Sequence, residues 1–252
     1  MRLHPKYAVL GNGRWAGVIH GILAQQQCEV VIIQQTRRGD RESNDEYRAR
    51  IGSSLAKSGA TVAWICIPPS PNTLLLSEAA VESGLHVIAE KPWLWTQPAS
   101  QALNALAHAR GRLIGVHFEY CLLEAVESWR RQQNRGVGLK FSGRFTTSRR
   151  DRLGIPAIEN LGSHLFAIRA YAVPEAAISE IDCGFEDADE RLVSIGNGNC
   201  ILSTIDFTAN REPIIQRFIE QFEGALNGGP FPFGLDFAEL VLKDLSAFRE
   251  KN

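Results

Sequence analysis

Five short, almost wholly apolar runs, each followed by a stretch with helical spacing or by a change of pattern, occupy the first 118 residues. They are Tyr7–Leu10, Val30–Ile33, Val62–Ile67, Leu85–Ala89 (interrupted by His86) and Leu113–Val116. The stretches between them are Trp15–Gln26, Tyr47–Ser58, Thr73–Ser83 and Ser100–Arg110. A strand with one solvated face alternates polar and apolar residues. A continuous apolar run marks a strand covered on both faces, and strands separated by helices make βαβ units with a parallel sheet. This region therefore predicts an α/β domain of Rossmann type over residues 1–118.

The pattern then changes. A polar-flanked helix, Leu122–Gln133, leads into strand-like runs at Leu139–Thr147, Ala177–Phe185, Arg191–Ile195 and Cys200–Phe207. One helix, Ile158–Tyr171, interrupts them, and Glu212–Leu226 and Leu235–Glu250 close the chain, joined by the turn-rich stretch at 228–234. That order predicts a smaller α+β domain over 119–252 with a mostly antiparallel sheet. At about 100–200 residues per domain, 252 residues accommodate both. The hydrophobic fraction of 44% is ample for two cores and excludes a disordered chain. A net charge of −1, from 27 basic and 28 acidic residues, excludes a polyanion-seeking surface, so nucleic acid is not an expected partner. No run approaches 18 apolar residues, and the N-terminal apolar run is too short for a signal peptide, so no membrane is expected and the location reads as cytoplasmic. The five cysteines are irregularly spaced without a C-x-x-C, which fits reduced, inert thiols.

Directly after the first strand stands Gly11-Asn12-Gly13-Arg14-Trp15-Ala16, a G-x-G-x-x-A match that opens the first helix. Gly11 would permit the tight turn and Gly13 the approach of backbone to a pyrophosphate. Ala16 would allow close helix–strand contact, and the helix N-terminus supplies N–H donors and dipole to phosphates. Gly11, Gly13, Arg14 and Trp15 are thus expected at the pyrophosphate.

The second strand runs into Gln34-Gln35-Thr36-Arg37-Arg38, beginning 23 residues after Gly11. An NAD site would place Asp or Glu here for the ribose 2′-hydroxyl. A hydroxyl and two guanidinium groups stand here instead, and Arg binds phosphate bidentately. Thr36, Arg37 and Arg38 therefore point to NADP rather than NAD. The alternative is an ordinary solvated basic loop.

The fourth strand ends in Gly84-Leu85-His86-Val87-Ile88-Ala89-Glu90-Lys91-Pro92. Arg outnumbers Lys by 21 to 6, and one of those few lysines thus lies at the carboxyl edge of a parallel sheet, where ligands bind in open α/β folds. At this point the sequence resembles the Gfo/Idh/MocA oxidoreductases, the glucose–fructose oxidoreductase and inositol dehydrogenase group, as a short member. The matching pieces are Gly11–Ala16, Ile67-Pro68-Pro69 with Asn72, Gly84–Pro92, Gly115–Tyr120 and Asn160-Leu161-Gly162-Ser163-His164. The helices around Phe218–Phe222 and Phe237–Phe248 also fit, in the expected order.

The resemblance implies a Rossmann domain followed by an α+β domain whose sheet mediates a homodimer or higher homo-oligomer. It implies that Lys91 lies beside the nicotinamide and the reacting substrate oxygen, with Glu90, Ile67, Pro68 and Asn72 bordering the cofactor. It implies, too, that His164 acts as general acid/base, a task suited to a side chain titrating near neutrality. In the family an aspartate four residues earlier supports that histidine. Here Asn160 takes its place, which leaves reduction or altered chemistry open. At spacing i, i+4 on one predicted helix, Asn160 and His164 share a face.

The domain junction, Gly115-Val116-His117-Phe118-Glu119-Tyr120, offers His117, Glu119 and Tyr120 to the substrate region. Glu119 would favour a cationic or hydroxyl-rich group, such as an amino sugar, aminocyclitol or imine. Alternatively, it pairs with one of the arginines. Arg149-Arg150-Asp151-Arg152 reads as a solvated loop or a contact for a phosphate-bearing substrate. The histidines and cysteines show no ligand spacing, so no metal is expected, and no G-x-S-x-G nucleophile turn is present. Two functions follow: an NADP(H)-dependent oxidoreductase acting on a small polar carbonyl, imine or alcohol, or a catalytically silent NADP-binding sensor or assembly protein.

Overall fold

The computed structural model describes residues 5–92, 96–132, 139–148, 155–196 and 200–251. Its contacts divide the chain into two compact units: the residues up to His117 together with Ile219–Phe237, and Phe118–Phe218 together with the residues from Ala238 on.

The first unit is built on a five-stranded, wholly parallel sheet in the order β2-β1-β3-β4-β5. Its strands are β1 (Tyr7–Leu10), β2 (Val30–Ile33), β3 (Val62–Ile65), β4 (His86–Glu90) and β5 (Ile114–His117), connected by α1 (Arg14–Gln25), α2 (Asn44–Ser58), α3 (Pro71–Glu82) and α4 (Gln97–Ala109). β1, β3 and β5 are buried at every position, which accounts for their unbroken apolar runs. Helix ends follow local chemistry. The Ser43 hydroxyl accepts from the Glu46 N–H while the Glu46 carboxylate accepts from the Ser43 N–H, a reciprocal cap that starts α2. Gly59, at φ 64°, closes the same helix in the left-handed region. Ser43→Ala is expected to lower stability by about 1 kcal/mol in urea unfolding.

The segment Ile219–Phe237, which by sequence falls in the second predicted domain, packs in the first unit. The physical reason is a hole at Gly115 of β5. A Cβ there would lie 2.7 Å from the Phe231 ring and 3.1 Å from the Phe222 ring, so the glycine admits both aromatics. The Val116 N–H donates to Phe233 O at 2.8 Å, and the buried Tyr7 hydroxyl donates to Glu223 at 3.0 Å.

The second unit contains a 3-10 turn (Glu119–Leu122), α5 (Glu124–Gln132), β6 (Lys140–Thr147), α6 (Ala157–Asn160), α7 (Gly162–Ala172), β7 (Ala177–Phe185), β8 (Glu190–Ile195), β9 (Cys200–Leu202) and α8 (Thr204–Ala209). Helices α9 (Arg211–Leu226) and α10 (Leu235–Lys251) complete the chain. The sheet order is β7-β6-β8-β9. Two of its three pairings are antiparallel, as expected, and β6 with β7 is parallel, so the sheet is mixed. Gly143 of β6 lets Leu165 of α7 lie against the strand, since a Cβ there would stand 2.5 Å from the Leu165 Cδ2. Arg144, on the other face, is ion-paired with Asp182, Glu186 and Glu190 at 2.5–2.6 Å.

Two expectations are corrected here. The run Cys200–Phe207 is a strand only to Leu202. Ser203 and Asp206 form a capping box that turns the chain into α8, and this overrides the alternating pattern. The predicted helix Ile158–Tyr171 is two helices, separated at Leu161. Asn160 therefore ends one helix and His164 lies in the next, instead of sharing a face of one continuous helix.

Cys66 and Cys121 are buried, and burial pushes both thiols well above their ordinary range; Cys28 rises to about 11 and Cys183 to about 12, burial again the main cause. Among the described residues, no helix is long and apolar enough to cross a membrane, and no group of three or more His, Cys, Asp or Glu is placed to hold a metal ion.

Candidate functional site

At the carboxyl end of the first unit's sheet, Gly11 carries φ +135°, and a Cβ on it would stand 2.8 Å from the Cys66 carbonyl oxygen. Only glycine fits both the conformation and the space. The Cys66 N–H donates to Leu10 O at 2.9 Å and the Gly11 N–H to Ile33 O at 3.1 Å, so the turn is fastened to the ends of its two neighbouring strands. Gly13 is the N-cap of α1, in extended backbone and open to solvent, with no atom within 4 Å of a Cβ built there. Among the described residues no side chain caps this helix, and no acidic residue lies in its first turn. Arg14 is exposed, Trp15 half-buried, and Ala16 is 3% exposed against the unit's core.

Glu90, the last residue of β4, is the centre of a buried polar cluster. Its Oε1 accepts from the Trp64 indole at 2.9 Å and lies 3.2 Å from His117 Nδ1 across the β4–β5 register. His117 is 0% exposed, stacked on Trp15 at 5.9 Å and edge-on to Trp64 at 5.1 Å. Burial alone would raise the Glu90 carboxyl. The His117 charge and the hydrogen bonds from His117 and Trp64 outweigh it and hold the group below its ordinary range. One carboxylate thereby joins β3, β4 and β5, His117 carries the cluster on to Trp15 at the start of α1, and the residue after Glu90 is the half-buried Lys91.

The remaining predicted residues of this unit flank that cluster in sequence and sheet position. Thr36 is buried, Arg38 half-buried and Arg37 exposed, in the loop leaving β2. Ile67 and the exposed Pro68 follow β3, and the half-buried Asn72 is the second residue of α3.

In the second unit, Glu119 and Tyr120 lie in the 3-10 turn and His164 in α7. The Tyr120 and His164 rings stand 4.4 Å apart, and Tyr120 also meets Phe207 at 4.9 Å and Phe145 at 6.2 Å. The Arg191 guanidinium sits 5.0 Å over the Phe145 ring. Burial, reinforced by the Glu119 charge and opposed by Arg191 and Arg211, pushes the Tyr120 phenol up to about 12, so it stays neutral at ordinary pH. Glu119 and His164 are both 6% exposed, while Asn160 is half-buried, its carbonyl accepting from the Ser163 hydroxyl at 3.0 Å. The Arg149–Arg152 cluster lies outside the described residues.

Trp64, Phe145, Phe207 and Arg191 were not among the residues predicted from sequence. Trp64 alone left a trace, as an indole N–H inside a fully apolar strand, where a buried donor needs an acceptor.

No family model matches the chain. A 45-residue stretch, 18% of the chain, is 40% identical to an uncharacterized oxidoreductase, YfiI, of Bacillus subtilis, but the match spans only 12% of that relative's length. Solved structures match over nearly the whole chain. UDP-N-acetylglucosamine 3-dehydrogenase GnnA from Acidithiobacillus ferrooxidans superposes with a TM-score of 0.76 at 14% identity, covering 98% of this chain and 97% of that one. GenD2 from gentamicin A biosynthesis, solved with NAD, gives 0.74 at 14% identity over 98% and 93%. An inositol dehydrogenase homolog from Azotobacter vinelandii, solved with NADH and myo-inositol, gives 0.64 at 14% identity over 96% and 94%. The chain therefore has the fold of these dehydrogenases: a Rossmann-type parallel sheet with helices, and a second unit on a mixed sheet.

Proposed function

We propose that the chain is a nicotinamide-dinucleotide-dependent oxidoreductase acting on a small polar carbonyl, imine or alcohol of the sugar or cyclitol class, with NADP(H) as its dinucleotide. One arrangement carries this reading: Trp15, in the first turn of α1 after the glycine turn, stacks on His117, and His117 lies against Glu90, the residue before Lys91, all at the carboxyl edge of one parallel sheet. The residues fit the cofactor. Gly13 is open, α1 has an uncapped N-terminus without acidic side chains, and Gly11 holds the turn against Cys66, which together suit a pyrophosphate on backbone N–H groups. The neighbours solved with NAD or NADH support a nicotinamide dinucleotide. NADP(H) is favoured by Arg37 and Arg38 where an NAD site would carry a carboxylate.

A bound nicotinamide supplies or accepts the hydride. The chain does the rest. Gly11, Gly13, Arg14 and Trp15 hold the pyrophosphate, with Ile67, Pro68 and Asn72 along the cofactor. Lys91 donates a hydrogen bond to the substrate oxygen or nitrogen, and Lys91 or His164 moves the proton at that atom. Glu90 and His117 position Lys91. Tyr120 holds the His164 ring and, with Glu119, meets the hydroxyl or amino groups of the substrate. A second copy docked on the sheet face bearing Arg144, and a cytoplasmic location, belong to the same proposal.

The second reading, a silent dinucleotide-binding sensor, is favoured by Asn160, which cannot support His164 as a carboxylate would. A binding and turnover screen decides. The purified chain is expected to bind NADPH about tenfold or more tightly than NADH, and to change the absorbance of the reduced nicotinamide with at least one keto sugar, amino sugar or cyclitol. Binding without any turnover supports the sensor, and binding of neither dinucleotide overturns both.

A further inference from the structure

The connection between β2 and α2 runs from residue 34 to residue 43. Such βα connections are usually about 2–6 residues long. It starts beside the glycine turn, because Ile33, the residue before it, accepts the Gly11 N–H at 3.1 Å. Despite its length it is tightly held from inside.

Arg50 of α2 makes four hydrogen bonds to this loop. Its Nε donates to Glu42 Oε1 at 2.7 Å and one terminal nitrogen to Glu42 Oε2 at 2.9 Å, a two-point fork on one carboxylate. That same nitrogen donates to Arg37 O at 3.1 Å, and the other reaches Gln35 O at 2.7 Å. Glu42 in turn accepts from the Gly39 N–H at 3.0 Å, and its carbonyl accepts from Arg38 Nε at 2.8 Å. The buried Tyr47 hydroxyl donates to Thr36 O at 2.6 Å, and the Arg50 guanidinium stands 5.3 Å over the Tyr47 ring. Arg50 is thereby committed to the loop, while Arg37 is exposed.

We propose that Arg50 and Glu42 are selectivity-determining positioning residues: they fix the backbone of residues 35–42 so that Arg37, with the terminal nitrogens of Arg38, meets the 2′-phosphate of a nucleotide bound at the glycine turn. This rests on the dinucleotide reading above and adds residues that reading does not contain. The chemistry explains why the pair is needed. A free carboxylate at Glu42 would repel a phosphate in the same loop. Held by both its oxygens on Arg50, it is neutralised locally and becomes the frame instead. Without the frame, ordering ten loop residues around a phosphate would cost the conformational entropy that the brace removes in advance.

The test is equilibrium titration of the full-length chain with NADPH and with NADH, following the fluorescence of the bound reduced nicotinamide, so that no turnover is involved. Arg37→Ala is expected to weaken NADPH about tenfold or more and leave NADH nearly unchanged, as loss of a charge-assisted phosphate contact requires. Arg50→Gln should weaken NADPH about five- to tenfold with NADH nearly unchanged. Arg50→Lys, which keeps the charge but loses the fork, should fall between, and it carries the test if the glutamine variant does not fold. Equal loss of both dinucleotides in the Arg50 variants, no loss of either, or a wild-type preference for NADH overturns the proposal. A wild-type chain that binds neither dinucleotide overturns the oxidoreductase reading itself, a separate result.

Discussion

Replacing Lys91 by Met is expected to lower kcat by about 10²- to 10⁴-fold, the usual contribution of a positioned proton donor, while dinucleotide affinity stays near the wild-type value. Methionine keeps the length and apolar stem of lysine and removes the ammonium alone. Lys91 is half-buried directly after β4, and the glycine turn that the proposal assigns to the pyrophosphate is separately fastened to Ile33 and Cys66. Binding and turnover should therefore separate. The measurement is kcat beside the NADPH dissociation constant of the same preparation. A variant with near-normal kcat would remove Lys91 from the chemistry and leave His164 as the remaining proton-handling group.

The second large effect is expected in stability. Glu90→Ala should cost about 3–5 kcal/mol in urea unfolding, because it leaves the wholly buried His117 and the Trp64 N–H without the carboxylate that both address. Glu90→Gln retains an acceptor oxygen and should cost less. A loss under about 1 kcal/mol in the alanine variant, the worth of an ordinary surface ion pair, would show that the cluster is not a clamp. The pH dependence has a definite sign. The folded Glu90 carboxyl titrates below its ordinary 4.5, so on acidification the unfolded chain takes up the proton first. The stabilisation is complete above that value and is lost as pH falls through the lower, folded one. The alanine variant should lack this part of the wild-type acid sensitivity.

Much of the fold was legible because burial on two faces leaves few ways to write a strand. β1, β2 and β7 span the same residues in sequence and structure, and the others shift by a residue or two, except β9, which stops five residues short of the expected end. Caps were less visible. The start of α2 is fixed by the Ser43–Glu46 exchange, three residues before the first apolar position that suggested a helix. Ser203 and Asp206 made the same kind of turn inside what looked like an alternating strand. In the second unit strand direction was not legible from the alternation, because parallel and antiparallel strands share a period of two; β7 lies parallel to β6, with α6 and α7 between them in the chain.

The candidate site divides along similar lines. The glycine turn and Glu90-Lys91 are contiguous motifs and could be read locally. The partners of Glu90 could not, since Trp64 is 26 residues upstream and His117 27 downstream, and only the β3-β4-β5 register aligns them. Arg50 looked like any arginine on an amphipathic helix. Its role depends on where the ten residues before α2 fold back, which no periodicity encodes.

The hole at Gly115 bears on how the molecule is made. β5 is the last strand of the first sheet, yet the rings that fill its missing side chain, Phe222 and Phe231, come more than a hundred positions later, as does the Glu223 acceptor of Tyr7. During synthesis the whole second unit's strand-bearing segment is translated before these rings exist. The nascent first unit waits through that interval with a gap beside β5 and an unanswered hydroxyl in β1. Its completion is a late, long-range closure, so the C-terminal stretch through residue 237 is the keystone of the N-terminal half.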